Sequence, residues 1–217
     1  MKPVVTPKAA VAAIPDGATI MLGGFMCCGQ PLALVDALLE QGAKNLTVVC
    51  NDAGVPGMGI AKLISAGRVR RLITSHIGLN PEAGEKMNKG EMIVDLVPQG
   101  TLAERIRCAG AGLGGVLTPT GCGTNVEQGK QKIILNGREF LLEEPLAADY
   151  ALVVADICDA VGNAHVGKSR KNFNLVMSMA AKCTVCESRS VVGMGDLCPD
   201  RVNIPGVFVH SIVEVKQ

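Results

Sequence analysis

Aromatic side chains are nearly missing from this chain: among 217 residues there is no Trp, one Tyr and four Phe. That scarcity argues against single-stranded nucleic acid as a ligand, because base recognition there relies on stacking platforms. A surplus of either charge is missing too. With 21 Lys plus Arg against 20 Asp plus Glu, the formal charge of +1 creates no field to draw in a nucleic acid or an anionic membrane. No stretch approaches the roughly 20 consecutive apolar residues that span a bilayer. Small molecules and other proteins remain as partners.

Glycine and cysteine, by contrast, are plentiful, at 26 and 9 residues. An odd number of cysteines scattered through apolar segments fits buried thiols in a reducing compartment better than a disulfide framework. The N-terminal apolar run is too short for a signal peptide and lacks the Arg/Ser richness of a transit peptide. It reads as a first helix, with Thr6 as N-cap and Pro7 at the first helical position. The expectation is a cytoplasmic protein forming one domain over residues 1–217.

Hydrophobic patterning predicts an α/β fold: an open, mostly parallel sheet with helices on both faces. Strands are expected at 18–22, 46–50, 69–74, 92–97, 150–155 and 183–186. A helix from Pro31 through Leu39 has Leu32, Val35, Leu38 and Leu39 at helical spacing. Asn136-Gly137 between two apolar runs predicts a β-hairpin near 132–143. The stretch 109–124 holds too much glycine for a packed element and reads as a loop that approaches a ligand or another chain closely.

Chemistry in such sheets sits beyond the carboxyl ends of the strands. Four segments there are predicted to converge: Gly23 to Gly29, Asn51-Asp-Ala-Gly-Val-Pro-Gly, Thr74-Ser-His-Ile-Gly-Leu-Asn-Pro and Pro98-Gln-Gly-Thr. They supply hydrogen bonds but little acid/base power. The first runs Asp16-Gly-Ala-Thr-Ile-Met-Leu-Gly-Gly-Phe-Met-Cys-Cys-Gly-Gln-Pro31, and on spacing alone could be a cofactor cradle, a thiol nucleophile's loop or a tight turn. It is not the dinucleotide fingerprint, and no P-loop occurs. Cys183-Thr-Val-Cys186 lacks two further zinc ligands at compatible spacing, so no metal is expected. Arg105 and Arg107 could meet an anionic substrate or pair with Glu104. The run Lys168-Ser-Arg-Lys171 reads as a solvated face or a phosphate contact.

Residues 16–31 resemble the signature of the first (alpha, or A) subunit of the 3-oxoacid CoA-transferase family (family I). Further segments follow in family order: Asn51-Asp-Ala-Gly, Pro98-Gln-Gly-Thr-Leu-Ala-Glu-Arg-Ile-Arg107, Thr118-Pro-Thr-Gly-x-Gly-Thr124, Leu142-Glu-Glu-Pro145, Asp159-x-x-Gly-Asn163 and Lys171-Asn-Phe-Asn174. The resemblance implies ping-pong transfer of CoA between short-chain carboxylic acids, through a glutamyl-CoA thioester. The family's catalytic Glu lies in Ser-Glu-Asn-Gly on the second subunit, and no Glu here is followed by Asn-Gly. The implied partner is therefore a beta subunit in a hetero-oligomer, α2β2 or larger.

By the same resemblance, Gln99 meets the oxyanion formed by attack on the acyl thioester, and Asn51 orients the substrate. Gly23, Gly24, Phe25 and Gly29 are the implied CoA or substrate contacts. No bound cofactor is implied; the CoA thioester is a substrate. The short-chain members that use acetoacetyl-CoA with acetate or butyrate are the most similar. Members that use succinyl-CoA share the same segments, and a non-catalytic ligand-sensing domain of the same fold is a third reading.

Overall fold

The computed structural model describes residues 1–215. Its first half repeats a short apolar strand followed by a helix. These elements are α1 (Pro7–Val11), β1 (Thr19–Leu22), α2 (Leu32–Gln41), β2 (Leu46–Val49), α3 (Ile60–Ser65), β3 (Val69–Thr74), α4 (Pro81–Asn88), β4 (Ile93–Leu96) and α5 (Gln99–Gly110). Then come β5 (Val116–Thr118), β6 (Lys132–Leu135), β7 (Arg138–Glu143), β8 (Ala148–Ala155), β9 (Ile157–Asp159) and β10 (Ala164–His165). The chain finishes with α6 (Asn174–Met179), β11 (Ala181–Ser188), β12 (Val191–Val192) and β13 (Ser211–Glu214).

Seven strands form the main sheet in the order β13-β11-β8-β1-β2-β3-β4, with every pairing parallel. A parallel sheet covered on both faces needs apolar side chains pointing both ways, so its strands read as continuous hydrophobic runs. In β1, Ile20 and Leu22 enter the core beneath α1, α2 and α3, while Met21 enters the opposite core with α5 and α6. The α/β expectation is met. Because the order reverses between β1 and β8, a crevice opens there at the carboxyl edge of the sheet.

Local signals act as their chemistry requires. Thr6 Oγ1 accepts the N–H of Ala9 at 3.2 Å at the start of α1. Asn136 and Gly137 take φ of 51° and 75°, the type I′ geometry that closes the β6–β7 hairpin. The buried face of α2 differs from the expected one: Leu34, Val35, Ala37 and Leu38 are buried, and Leu32 is 38% exposed. Leu32 is the first residue of the helix and lines a cavity with Gln30 and Val215.

The glycine-rich stretch 109–124 is not all loop. Its first residues finish α5, and β5 pairs antiparallel with β7 in a three-stranded sheet β5-β7-β6. Gly115 lies where a Cβ would come 2.8 Å from Glu143 O, and Gly110 where one would come 2.6 Å from Met179 Cβ. These two glycines serve the chain's own packing.

Candidate active site

The four predicted segments follow β1, β2, β3 and β4 and meet at one edge, as parallel pairing demands. Asn51, one residue beyond the Cys50 that follows β2, is 2% exposed. Its Nδ2 donates to Asp52 Oδ2 at 2.7 Å, and its Oδ1 accepts from Gln99 Nε2 at 2.6 Å. An ionised carboxylate only accepts, so Asp52 fixes which way the Asn51 amide faces. Ser75, just past β3, donates its hydroxyl to Asn51 O at 2.7 Å. Gln99 is the first residue of α5 and is exposed.

Asp52 is 3% exposed and accepts two further N–H groups, from Met26 at 2.8 Å and Gly54 at 2.9 Å. It thereby ties the glycine loop after β1 to the end of β2. Its importance is invisible in sequence, where an acid after Asn in a Gly-rich loop reads as a turn former. The loop itself makes a two-residue turn: Phe25 and Cys28 exchange backbone hydrogen bonds at 3.0 and 2.8 Å. The central residues, Met26 and Cys27, have φ of 46° and 67°, left-handed geometry with a side chain attached. That conformation costs about 1–2 kcal/mol per residue, which the bond from Met26 N–H to Asp52 offsets in part.

The glycines of this loop make room for protein side chains. A Cβ on Gly23 would overlap Asn174 Oδ1, and one on Gly24 would overlap Gln30 Cγ. A Cβ on Gly29 would stand 3.0 Å from Asn174 Nδ2. Asn174 fills the space by accepting Val154 N–H at 3.0 Å and donating to Gly29 O at 3.0 Å and Arg170 O at 2.8 Å. Gln30 Oε1 accepts Ile60 N–H at 3.1 Å. Together these side chains lock the loop against β8, α3 and the turn before α6.

Phe25 is 42% exposed and stands with Gln99 at a cavity of about 340 Å³. Ala103, Asn172, Phe173 and Val176 line it further. Of the sequence-proposed residues, Gln99 and Phe25 face this cavity, Asn51 lies behind Gln99, and Gly23, Gly24 and Gly29 form the supporting loop. The lining has no carboxylate, imidazole, amine or thiol. Burial pushes the nearby Cys50 thiol far up, with the Asp52 carboxylate adding to the effect, so it stays protonated.

Other candidates are spoken for. Arg107 pairs with Glu104 at 2.8 Å, and Arg105 donates to Glu144 O at 2.8 Å beside the buried Glu143. Cys186 is buried, and its thiol is raised by hydrogen bonding with Cys158 and by desolvation. Among the described residues no group of three His, Cys, Asp or Glu side chains could hold a metal ion, and no helix is long and apolar enough to cross a membrane.

The sequence model of the coenzyme A transferase family matches residues 4–215. The chain belongs to that family. It is 53% identical to the acetate CoA-transferase subunit alpha of Escherichia coli K12, over 91% of this chain and 90% of the relative. It is 50% identical to the acetoacetyl-CoA:acetate/butyrate CoA transferase alpha subunit of Clostridium acetobutylicum, over 92% and 91%. Among solved structures, an acyl-CoA transferase of E. coli O157:H7, crystallised as a thioester complex with CoA, superimposes with a TM-score of 0.86 at 25% identity. The match covers 99% of this chain and 47% of that one, so this chain spans about half of the longer transferase. Family membership and fold therefore agree.

Proposed function

We propose that this chain is the alpha subunit of a CoA-transferase that moves CoA between short-chain acids, with the catalytic glutamate on a beta subunit. The observation that carries the reading is the Gln99–Asn51–Asp52 relay, which ends at a cavity without a nucleophile, acid or base. Such a site stabilises charge that another chain's group creates. The names of the relatives, which are alpha or A subunits, support a partner. Residues 1–217 would then act as one subunit domain, in an α2β2 or larger assembly.

In this reading the partner's carboxylate attacks the acyl-CoA carbonyl and the carbonyl oxygen becomes an oxyanion. Gln99 spends one Nε2 hydrogen on Asn51 Oδ1 and has the other for that oxyanion. Collapse expels CoA thiolate and leaves a mixed anhydride. The thiolate then attacks the glutamyl carbonyl, giving the glutamyl-CoA thioester and the free carboxylate of the first acid. A second acid reverses the sequence. Phe25 and the turn it begins would contact the acyl or pantetheine part, while Gly23, Gly24 and Gly29 permit the loop's close packing.

Phe25, Phe173, Val176 and Ala103 make the cavity apolar, and no cation lines it to pair with a second carboxylate. This favours acetate, butyrate and acetoacetate over succinate. Intact-mass spectrometry of the assembled complex after incubation with acetoacetyl-CoA tests the division of labour. A CoA-sized adduct on the partner, with this chain unmodified, is expected. An adduct on this chain would end the reading.

A further inference from the structure

Five cationic side chains converge on a second cavity, separate from the one that Gln99 faces. Lys168, Arg170 and Lys171 come from the turn after β10, Arg189 follows β11, and Arg201 ends the short 3-10 helix Pro199–Arg201. The cavity encloses about 600 Å³, and the one carboxylate in its lining is Asp156, just beyond β8. A chain with 21 basic and 20 acidic residues has no general excess to account for this concentration.

The carboxylate is already engaged: Asp156 pairs with Arg170 and accepts Gly167 N–H at 2.6 Å. Among the described residues, Lys168, Lys171, Arg189 and Arg201 form no ion pair with a carboxylate. Burial and the neighbouring Arg189 charge hold the Arg170 guanidinium below its ordinary range. Like charges gathered in a concavity repel one another, and an anion seated among them relieves that repulsion.

The walls are built rather than draped. Asn203 brackets Val166, accepting its N–H at 2.8 Å and donating to its carbonyl at 2.9 Å. His165 Nδ1 lies 2.7 Å from Arg201 O. These bonds fix the turn after β10 against the segment that carries Arg201. The volume falls within the range of about 300–1,000 Å³ usual for small-molecule sites, and exceeds what a lone phosphate would fill.

We propose that this cavity binds a phosphorylated small molecule carrying a diphosphate-sized anion, held by Arg189, Arg201 and the Lys168–Lys171 turn. The anion chemistry stands on these side chains alone. Two sources would present it: the phosphates of CoA itself, an attribution that rests on the transferase reading, or a separate phosphorylated metabolite. The segment bordering the cavity also contributes Asn172 and Phe173 to the apolar cavity beside Gln99, so either ligand would sit next to the reaction site.

Isothermal titration of the assembled complex with inorganic pyrophosphate tests this, using Arg189→Gln, Arg201→Gln and, as a charge-matched control elsewhere, Lys44→Gln. Saturable binding is expected, weakened by at least about tenfold in each arginine variant, the loss typical of one charge-assisted hydrogen bond, and unchanged in Lys44→Gln. Competition by CoA, with a raised KM for acyl-CoA and an unchanged kcat in Arg189→Gln, identifies CoA as the source. Pyrophosphate binding without that kinetic change identifies a separate ligand. An absence of saturable binding, as when an acidic segment of the partner fills the cavity, overturns the proposal, and so does an equal loss in all three variants. A complex that binds pyrophosphate yet transfers no CoA would count against the transferase reading alone.

Discussion

The Gln99 carboxamide donates to Asn51 Oδ1 at 2.6 Å, joining the first residue of α5 to the loop after β2 across 48 positions of chain. Both groups are uncharged, and neither would hold its orientation alone. Asp52 supplies the direction: it takes the Asn51 Nδ2, leaves Oδ1 for Gln99, and so frees one Gln99 N–H for the cavity. Preorganised donors of this kind lower a barrier because they need no reorientation as charge develops.

Gln99→Ala removes the donor and leaves the scaffold, since the side chain is exposed and bonded only to Asn51 among the described residues. The expected loss in kcat is about 10²–10³-fold, with the melting temperature of the complex nearly unchanged. Steady-state transfer from acetoacetyl-CoA to acetate measures it. Wild-type turnover in the variant would remove Gln99 from the oxyanion.

Asp52→Ala strands three donors at once: Met26 N–H, Gly54 N–H and Asn51 Nδ2. At about 1–3 kcal/mol for each of the two buried groups left unpaired, Asn51 Nδ2 and Gly54 N–H, with less from the part-buried Met26 N–H, the destabilisation should reach on the order of 3 kcal/mol. For a chain of this size that lowers the melting temperature by roughly 6–12 °C, which a thermal scan resolves. Asp52→Asn keeps the shape but no longer dictates the Asn51 amide, so its kcat should fall further than its stability.

The main sheet was legible because several of its strands carry short apolar runs, such as 20–22 in β1 and 151–155 in β8, and 69–74 matches β3 at both ends although the exposed Arg70 and Arg71 interrupt it. β13 went unread: Ser211-Ile-Val-Glu214 has two buried residues, too few to show a period. The same holds for β9, β10 and β12, two or three residues each, where Asp159 organises the turn by accepting Val161 and Asn163 N–H at 3.0 and 2.9 Å. At the candidate site, the resemblance singled out Asn51 and Gln99, but their contact is a product of sheet order. Asp52 and Gln30 act through burial and long-range backbone bonds, which no spacing reports.

Two glycine substitutions should move stability in opposite directions. Gly23→Ala drives a methyl into Asn174 Oδ1, breaking the side chain's bonds to Val154, Gly29 and Arg170. A cost of about 2–4 kcal/mol is expected from the lost buried hydrogen bonds, together with loss of transfer activity. Gly84→Ala lies within α4, with nothing within 4 Å of the new methyl. It should gain about 0.5–1 kcal/mol from helix propensity alone. Paired urea titrations of the two variants test both signs.

Stability should also respond to pH through Glu187. Its carboxylate accepts Leu34 N–H at 2.9 Å at the start of α2. Burial nevertheless raises its pKa, outweighing the bonds from Leu34, Ala33 and Leu32, with Asp36 adding to the rise. A carboxyl whose folded pKa lies above its unfolded value binds its proton more tightly in the native state. Its stabilising contribution is therefore complete below the ordinary glutamate range and is lost as pH rises through the folded value. Glu187→Gln retains a carbonyl acceptor and never ionises. Relative to the wild type it should melt higher at about pH 7, with the advantage vanishing by about pH 4, where glutamate is largely protonated in both states. Thermal scans at the two pH values measure the difference, and an advantage that grew on acidification would mean that the carboxylate's bonds to the helix start outweigh its burial.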